Sequence, residues 1–272
     1  MAAKPVRNDP AFEDSRDFVQ SLARGLSVLR AFDAEHTRLG LTEIAARTSM
    51  SRAAARRLVM TLEHLGYVRC AGREYVLSPS VLELGFGYLG SLNLTDLAQP
   101  LLEDLARAVN QSSSMAVLDG QSIVYVLRVP GRRIMSVTLG VGARLPAFSA
   151  SMGRVLLSGL DEEALQAWLR DCHPTKLTAH TVTDVRRLRR IVDEVRQQGY
   201  AYVEQELELG LCSLAVPVHN ADGRIATAIN VSFPYHPDAA REALRMILPQ
   251  LKLTAAAIEH CMPSHRLPAV SA

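Results

Sequence analysis

The segment from residue 41 to residue 77 constrains the fold more than any other part of the chain. It opens with Leu41–Arg47, where we predict a helix that starts at Thr42. Apolar Ile44 and Ala45 are expected to face inward from this helix. The short segment 49–51, Ser-Met-Ser, then interrupts the helical pattern and predicts a tight turn.

A second helix, rich in arginine, is predicted directly after this turn. The Ser51 hydroxyl can accept a hydrogen bond from a free N–H group of the first helical turn, and Gly66 ends the helix. The spacing predicts one buried face made of Ala54, Leu58, Thr61, Leu62 and Leu65. The residues left pointing outward are Arg52, Ala53, Arg56, Arg57 and Met60. A helix that presents its first turns to the major groove of DNA requires this separation of faces.

Two short strands follow, at residues 67–70 and 74–77, around the turn 71–73. A hairpin beside a helix-turn-helix is a wing, from which Arg69 and Arg73 could reach phosphates or the minor groove. An apolar stripe N-terminal to the two helices predicts a further helix that packs against them. The stripe consists of Leu22, Leu26, Leu29 and Phe32. The pattern therefore favours a winged helix-turn-helix over a small packing module with a solvated arginine face. The candidate DNA-binding residues are Thr42, Ser49, Ser51, Arg52, Ala53, Ala54, Arg56, Arg57, Arg69 and Arg73.

The composition supports a DNA-binding protein that resides in the cytoplasm. The segment 17–78 contains nine Arg and Lys against six Asp and Glu, a net charge of +3, which suits local phosphate contacts within a dimer. No apolar run reaches the ~20 residues of a spanning helix, and the charged N-terminus does not resemble a signal peptide. The four cysteines form no C-x-x-C pair, so we expect neither a metal site, a disulfide framework nor a cofactor.

The rest of the 272-residue chain is long enough for a second domain. We predict a DNA-binding domain at 17–78, a linker helix at 79–93 and a second domain at 94–262. The linker is apolar nearly all round, so it is expected to be buried between domains or subunits. Strands are predicted at 114–118, 122–129, 134–139, 200–203, 213–219 and 225–233, and helices at 94–109, 151–160, 162–170, 184–198 and 237–261. Because these elements do not alternate strictly, the predicted class is α+β with a largely antiparallel sheet.

From about Phe18 to Ile258 the chain resembles the IclR-type transcriptional regulators. The motifs that carry the resemblance are SLARGL at 21–26, SRAAARR at 51–57, RLPAFSASMGR at 144–154, QELELGL at 205–211 and AINVS at 228–232. RRIM at 132–135 and SMGRVLL at 151–157 look most like the branch that regulates aromatic-acid breakdown through the protocatechuate and β-ketoadipate routes. The resemblance implies a GAF-like effector domain, dimers that pair into tetramers, and palindromic operators.

Strand alternation suggests where an effector would bind. It sends Ala228, Asn230 and Ser232 to one face of the last strand, and the bulkier Ile229, Val231 and Phe233 to the other. Ser213 alternates in the same way on the preceding strand, so small polar residues of both strands can form the floor of a carboxylate site. Ser151 and Met152 lie where a helix begins, and free N–H groups there favour an anion. The family pocket, carried onto this sequence, would be bordered by Ile134, Val137, Leu145, Ser151, Met152, Glu204, Leu211, Ser213, Asn230 and Ser232.

The sequence departs from the family pattern at three positions. Cys212 stands where the aromatic-acid branch usually has an arginine, which bears on the identity of the effector. Ala53 and Ala54 replace hydroxyl side chains that are common in the wider family, so base recognition would depend on methyl contacts and the arginines.

The leading hypothesis is a regulator of an aromatic-acid catabolic operon, controlled by an acid of the protocatechuate, 4-hydroxybenzoate or β-ketoadipate type. Its expected partners are palindromic double-stranded operator DNA, the effector, further copies of the chain and RNA polymerase. One alternative is a constitutive DNA-binding protein whose second domain only oligomerises. A DNA-tethered enzyme is the other alternative. Neither a G-x-S-x-G nor an H-E-x-x-H motif occurs, and Glu204, Glu206 and Glu208 are expected beside solvent on one side of an edge-like segment.

Overall fold

The computed structural model describes residues 10–33, 35–85, 94–131 and 140–261. Two compact units make up the chain, with the boundary between residues 90 and 91. The predicted strand at 134–139, with Ile134 and Val137, lies outside the described residues, as does the linker from residue 86 onward. Within the described ranges, none of the helices has the length and hydropathy that crossing a membrane requires.

The first unit is built from helices and a small antiparallel sheet. Its helices are α1 (Pro10–Glu13), α2 (Gln20–Arg30), α3 (Leu41–Arg47), α4 (Arg52–His64) and the described part of α5, 81–85. The strands β1 (Leu39–Gly40), β2 (Val68–Ala71) and β3 (Glu74–Leu77) pair in the order β1-β3-β2. Helix α3, the turn, helix α4 and the hairpin confirm the predicted winged helix-turn-helix. Strand β1 was not predicted, because a two-residue strand carries no periodic signal.

Local signals set the ends of α3 and α4. The Ser51 Oγ accepts a 3.2 Å hydrogen bond from the Ala54 N–H group, which confirms the predicted cap. In the turn Ser49 has a φ of 54°, a left-handed conformation that stops α3. Helix α3 begins at Leu41, one residue before the predicted start at Thr42, because Gly40 is the N-cap residue and its N–H group donates to Glu43 at 2.7 Å.

The buried face of α4 lies one residue away from the predicted face. Ala55 and Val59 are fully buried and Leu62 nearly so, whereas Leu65 is 58% exposed. Thr61 is also exposed, and its hydroxyl donates to the Arg57 carbonyl of its own helix. The predicted set therefore failed at Thr61 and Leu65 and omitted two residues that form the core. The prediction gave the leucines more weight than the smaller alanine and valine side chains, so it assigned the apolar stripe to the wrong residues.

Two other predicted apolar surfaces are exposed in the single chain. On α2, Leu22 and Leu26 are 62% and 42% exposed, while Val28, outside the predicted stripe, is fully buried. The prediction is confirmed at Phe32, which follows α2 and is buried. The predicted burial of the linker is likewise not seen for residues 81–85, where Leu82 is 75% exposed.

The second unit contains a six-stranded antiparallel sheet in the order β6-β5-β4-β9-β8-β7. Its strands are β4 (Ser112–Asp119), β5 (Ser122–Val129), β6 (Arg144–Pro146), β7 (Ala201–Glu204), β8 (Leu211–His219) and β9 (Ile225–Pro234). The mixture of this sheet with helices confirms the predicted α+β class. The three-residue strand β6 was not predicted.

Helices cover the sheet on both faces. They are α6 (Leu94–Val109), α7 (Ser151–Ser158), α8 (Glu162–Arg170), α9 (Val185–Gln198), α10 (Ala239–Glu242) and α11 (Leu248–Cys261). Helix α7 packs on the face that carries Ala215 and Ala228. Helix α6 lies on the other face, where the Ser113 hydroxyl donates to the Leu102 carbonyl at 2.9 Å, and α11 packs against α6. The predicted terminal helix is divided by a π-helical turn, Ala243–Ile247.

Candidate functional site

The first candidate site is the arginine-bearing face of α4. Arg52, Arg56 and Arg57 are exposed, as the sequence predicted, and so is Ala53 beside them. None of the ion pairs formed within the described part of the chain involves these three arginines. Their guanidinium groups are therefore available for phosphate oxygens or for the acceptor edge of guanine.

The turn and the wing add further exposed groups to this unit. Thr42, Ser49 and Ser51 are exposed, whereas Ala54 is half-buried. Arg69 on β2 and Arg73 in the hairpin turn are exposed as well.

The wing is tied to α4 by one side chain. The Glu63 carboxylate near the end of α4 accepts a 3.2 Å hydrogen bond from the Cys70 N–H group in β2. This contact joins the hairpin to α4.

The second candidate site is a narrow cavity of about 20 Å³ in the second unit. It lies between α7, the sheet and the segment 205–210. Its lining residues are Tyr125, Leu145, Ser149, Ala150, Ser151, Met152, Val203, Leu207, Leu211, Ser213, Asn230 and Ser232. Of the predicted effector residues, the structure brings Leu145, Ser151, Met152, Leu211, Ser213, Asn230 and Ser232 together around this space.

One wall of the cavity is polar. The Ser151 and Ser213 hydroxyl oxygens lie 2.6 Å apart, and the Asn230 amide nitrogen donates to Ser213 at 2.8 Å and to Ser232 at 3.2 Å. Because Ser213 and Ser232 are directly paired neighbours on β8 and β9, their side chains share a face of the sheet. The remaining lining side chains are mostly apolar, so the chemistry of the lining matches a small ligand with one polar end and an apolar body.

The start of α7 adds backbone donors to the polar wall. Ala150 is the N-cap residue and no side chain caps the helix, so the N–H groups of its first turn lack intrahelical acceptors. Gly153 allows the helix to approach the preceding turn, because a Cβ atom there would lie 2.1 Å from the Ala147 carbonyl oxygen. The combination of free N–H groups and serine hydroxyls favours a carboxylate.

A buried ion pair holds the segment that covers the cavity. The Arg154 Nη2 atom lies 2.8 Å from Glu206 Oε2, and the two side chains are only 3% and 9% exposed. The same carboxylate oxygen accepts a 2.9 Å bond from the Val182 N–H group, and the Arg154 Nε donates to the Phe148 carbonyl at 3.0 Å. The prediction that Glu206 faces solvent is therefore wrong: the chain turns inward after β7, where Gln205 has a φ of 56°.

Glu204 does not line the cavity, contrary to the expectation from the family pocket. It is paired with Cys212 in the sheet, and both residues lie on the face opposite that of Ser213. The Tyr202 hydroxyl donates to Glu204 at 2.7 Å and contacts the Cys212 sulfur at 3.3 Å. Burial raises the pKa of the Cys212 thiol. The side chain at position 212 is therefore not a wall of this cavity.

Sequence reasoning missed two side chains on the cavity face of β5. Ser114 pairs with Arg128 but Ala116 pairs with Tyr125, because a bulge in β5 shifts the register between Met115 and Ala116. The bulge brings Arg128 and Tyr125 to the same face, although they are an odd number of residues apart. Burial raises the pKa of Tyr125 to about 12, so this phenol stays neutral and can donate a hydrogen bond. A register shift of this kind leaves no signal in a single sequence.

Comparisons with known proteins connect both sites to one family. Residues 21–70 match the IclR helix-turn-helix domain, and residues 86–260 match the C-terminal domain of bacterial IclR transcriptional regulators. The chain is 42% identical over 233 residues to the Pca regulon regulatory protein of Pseudomonas putida, which covers 85% of this chain and 80% of that protein.

Solved structures agree with the sequence matches. A transcriptional regulator from Rhodococcus sp. RHA1 superposes with a TM-score of 0.78 and 45% identity, covering 89% of this chain and 98% of the other. The inducer-binding domain of the Acinetobacter PobR transcription factor, a double mutant in complex with 3-hydroxybenzoic acid, is 32% identical. It covers 61% of this chain and 97% of that domain, with a TM-score of 0.55. The chain belongs to the IclR family, whose members are transcriptional regulators and not enzymes.

Proposed function

We propose that this protein regulates an aromatic-acid catabolic operon and responds to a small carboxylate bound in its second unit. The cavity with one serine-lined wall is the observation that carries this proposal, since a constitutive DNA-binding protein would have no use for it. The Pca and PobR relatives act in aromatic-acid metabolism or bind a hydroxybenzoate, which supports an acid of the protocatechuate, 4-hydroxybenzoate or β-ketoadipate type.

The proposed division of labour follows the predicted domains. Residues 17–78 would bind DNA, residues 79–93 would link the two domains, and residues 94–262 would bind the effector and oligomerise. We propose a dimer on each palindromic operator, dimers that pair into tetramers, contact with RNA polymerase, and a cytoplasmic location beside the operator DNA. Effector binding can act only by favouring one of two conformations of different DNA affinity or polymerase contact.

A ligand screen with the full-length protein tests the effector part. Thermal unfolding and calorimetric titration would use protocatechuate, 4-hydroxybenzoate, 3-hydroxybenzoate, benzoate and β-ketoadipate. We expect a saturable rise in melting temperature with at least one acid, because a ligand that binds only the folded state stabilises it. If no acid produces a shift, the constitutive DNA-binding protein becomes the better description.

Substitution of the exposed arginines tests the DNA part. The operator is first selected from random DNA with the purified protein. Arg56→Ala and Arg57→Ala should each weaken operator binding by about 1–3 kcal/mol if the residue reads a base, and less if it contacts only phosphate. Arg170→Ala, at an exposed position on α8, is the matched control and should bind as the wild type does. Unchanged affinity in both α4 variants would exclude α4 as the recognition helix.

A further inference from the structure

We propose that Asn230 is a positioning residue that directs serine hydroxyl protons toward the ligand and thereby makes the cavity selective for anions. This inference rests on the proposed function, because it concerns how the same cavity recognises a carboxylate. It assigns to Asn230 a role that acts through its neighbours and not through direct contact with the effector.

The geometry gives the amide nitrogen of Asn230 two acceptors. It donates to the Ser213 hydroxyl oxygen at 2.8 Å and to the Ser232 hydroxyl oxygen at 3.2 Å. Asn230 is 3% exposed and Ser232 is 6% exposed, so water competes little for these bonds. Ser213 in turn lies 2.6 Å from the hydroxyl oxygen of Ser151, which is 1% exposed.

A count of protons shows the consequence. Each serine hydroxyl has one proton to donate, and the three serines therefore have three. The bond between Ser151 and Ser213 consumes one of these protons, whichever serine is the donor. Asn230 consumes none, because it donates to both of its partners. Two hydroxyl protons remain, one from Ser232 and one from the Ser151–Ser213 pair, and both are available to a ligand that only accepts.

An acceptor at position 230 would reverse this outcome. Ser213 and Ser232 would each donate to it, and Ser151 would donate to Ser213, so that no hydroxyl proton would remain for a ligand. The opposite orientation of the Asn230 amide would have the same effect. That orientation would also leave the buried NH2 group without acceptors, whereas the observed one leaves only the Oδ1 atom without a partner among the described residues. Unpaired buried N–H groups are the rarer of the two in proteins.

Two donated hydroxyl protons match the two oxygens of a carboxylate. A neutral carboxamide of the same shape replaces one accepting oxygen with an NH2 donor, which would meet a hydroxyl proton instead of a lone pair. The wild-type cavity should therefore prefer an acid to its primary amide, and the preference should depend on the direction of the Asn230 bonds.

Asn230→Asp tests the inference, because it changes the donor into an acceptor with almost the same shape. Calorimetric titration would compare the tightest-binding acid of the screen with its primary amide, for example 4-hydroxybenzoate with 4-hydroxybenzamide. We expect the acid affinity to fall by at least about 100-fold, the effect of two charge-assisted hydrogen bonds. The amide should lose less than the acid, because the reversed serines withdraw a donor from its carbonyl oxygen but present an acceptor to its NH2 group. Ser232→Ala should then cost the acid little further in the Asn230→Asp background, because the reversed Ser232 hydroxyl already donates to residue 230 and not to the ligand.

The effect of Ser232→Ala in the two backgrounds separates the proposal from charge repulsion. A new carboxylate would repel the acid in any case, but repulsion alone leaves the contribution of the Ser232 hydroxyl unchanged. Asn220→Asp is the matched control: it makes the same charge change in an exposed turn, where the Asn220 side-chain oxygen accepts bonds from the Asp222 and Arg224 N–H groups that a carboxylate can also accept. It should leave both affinities unchanged.

Ser232→Ala provides a second measurement that does not depend on how well the Asn230→Asp variant folds. It removes one of the two free hydroxyl protons and should weaken the acid by about 10-fold or more. An equal loss of acid affinity on Ser232→Ala in the wild-type and Asn230→Asp backgrounds would overturn the inference, and so would an unaltered acid affinity in Ser232→Ala alone. If the wild type binds none of the acids, the proposed function itself fails and this inference fails with it.

Discussion

The buried ion pair between Arg154 and Glu206 leads to a prediction for stability. In the Glu206→Ala variant the guanidinium of Arg154, which is 3% exposed on its side chain, would lose its carboxylate partner. The Val182 N–H group would lose its acceptor at the same time. Both groups would then be buried without the partners they have in the native structure.

The expected magnitude follows from these losses. Removal of one partner of a buried ion pair costs about 3–5 kcal/mol, and an unsatisfied buried N–H group costs about 1–3 kcal/mol. The two terms overlap, so we expect a loss of about 4 kcal/mol in the free energy of unfolding of the second unit. The double variant Arg154→Met/Glu206→Leu leaves no unpaired charge and should lose only about 1–3 kcal/mol, chiefly at the Val182 N–H group.

Trp168 makes the measurement specific to the second unit. It is the only tryptophan of the chain and is 4% exposed in the core of that unit. Guanidinium unfolding followed by its fluorescence would give the free energies. Glu162→Ala is the control, since Glu162 also pairs with an arginine, Arg189 at 2.7 Å, but its side chain is 54% exposed. This control should lose much less stability than Glu206→Ala, because solvent screens an exposed ion pair. A loss below about 1 kcal/mol for Glu206→Ala would refute the reasoning.

Three further predictions concern separate features. Gly153→Ala should destabilise the second unit by about 1–3 kcal/mol and weaken effector binding, because the new Cβ atom would overlap Ala147 and force α7 away from the cavity. Melting and titration curves of the variant that match those of the wild type would contradict this. Burial raises the pKa of the Cys172 thiol to about 11. At pH 8 a thiol reagent should therefore modify exposed Cys70 quickly and Cys172 only after unfolding. Equal rates of modification in the native protein would show that Cys172 is accessible. Ser51→Ala should destabilise the first unit by about 0.5–2 kcal/mol through loss of the α4 cap, and unfolding followed by circular dichroism would detect it.

The order of elements in the DNA-binding unit could be predicted because its signals are local. Ser51 caps α4 at the predicted position, and the hairpin forms around Gly72, whose φ of 78° suits a tight turn. The exposed arginines were also identified correctly. The buried face of α4 was displaced by one residue, because the pattern gave leucines more weight than Ala55 and Val59.

The candidate effector site was predicted partly from the family resemblance, which supplied Leu145, Met152 and Leu211, and partly from strand alternation. Ser213, Asn230 and Ser232 share one face for this reason, and the structure brings them to the cavity. Glu204 was expected there by analogy with the family, but alternation from Val203, which does line the cavity, places it on the other face. At this position strand alternation gives the correct face of the sheet, and the analogy with the family does not.

The amino-acid sequence by itself determined the helices, most of the strands, the cap of α4 and the cationic surface of the recognition helix, because each depends on residues a few positions apart. Only the tertiary structure decided which distant residues meet. Arg154 and Glu206 are 52 positions apart, Ser151 and Ser213 are 62 apart, and the bulge in β5 turns Arg128 and Tyr125 to one face. These contacts depend on strand register and on the approach of α7 to the sheet. Both are set by packing of the whole unit, and neither produces a periodic pattern in the amino-acid sequence.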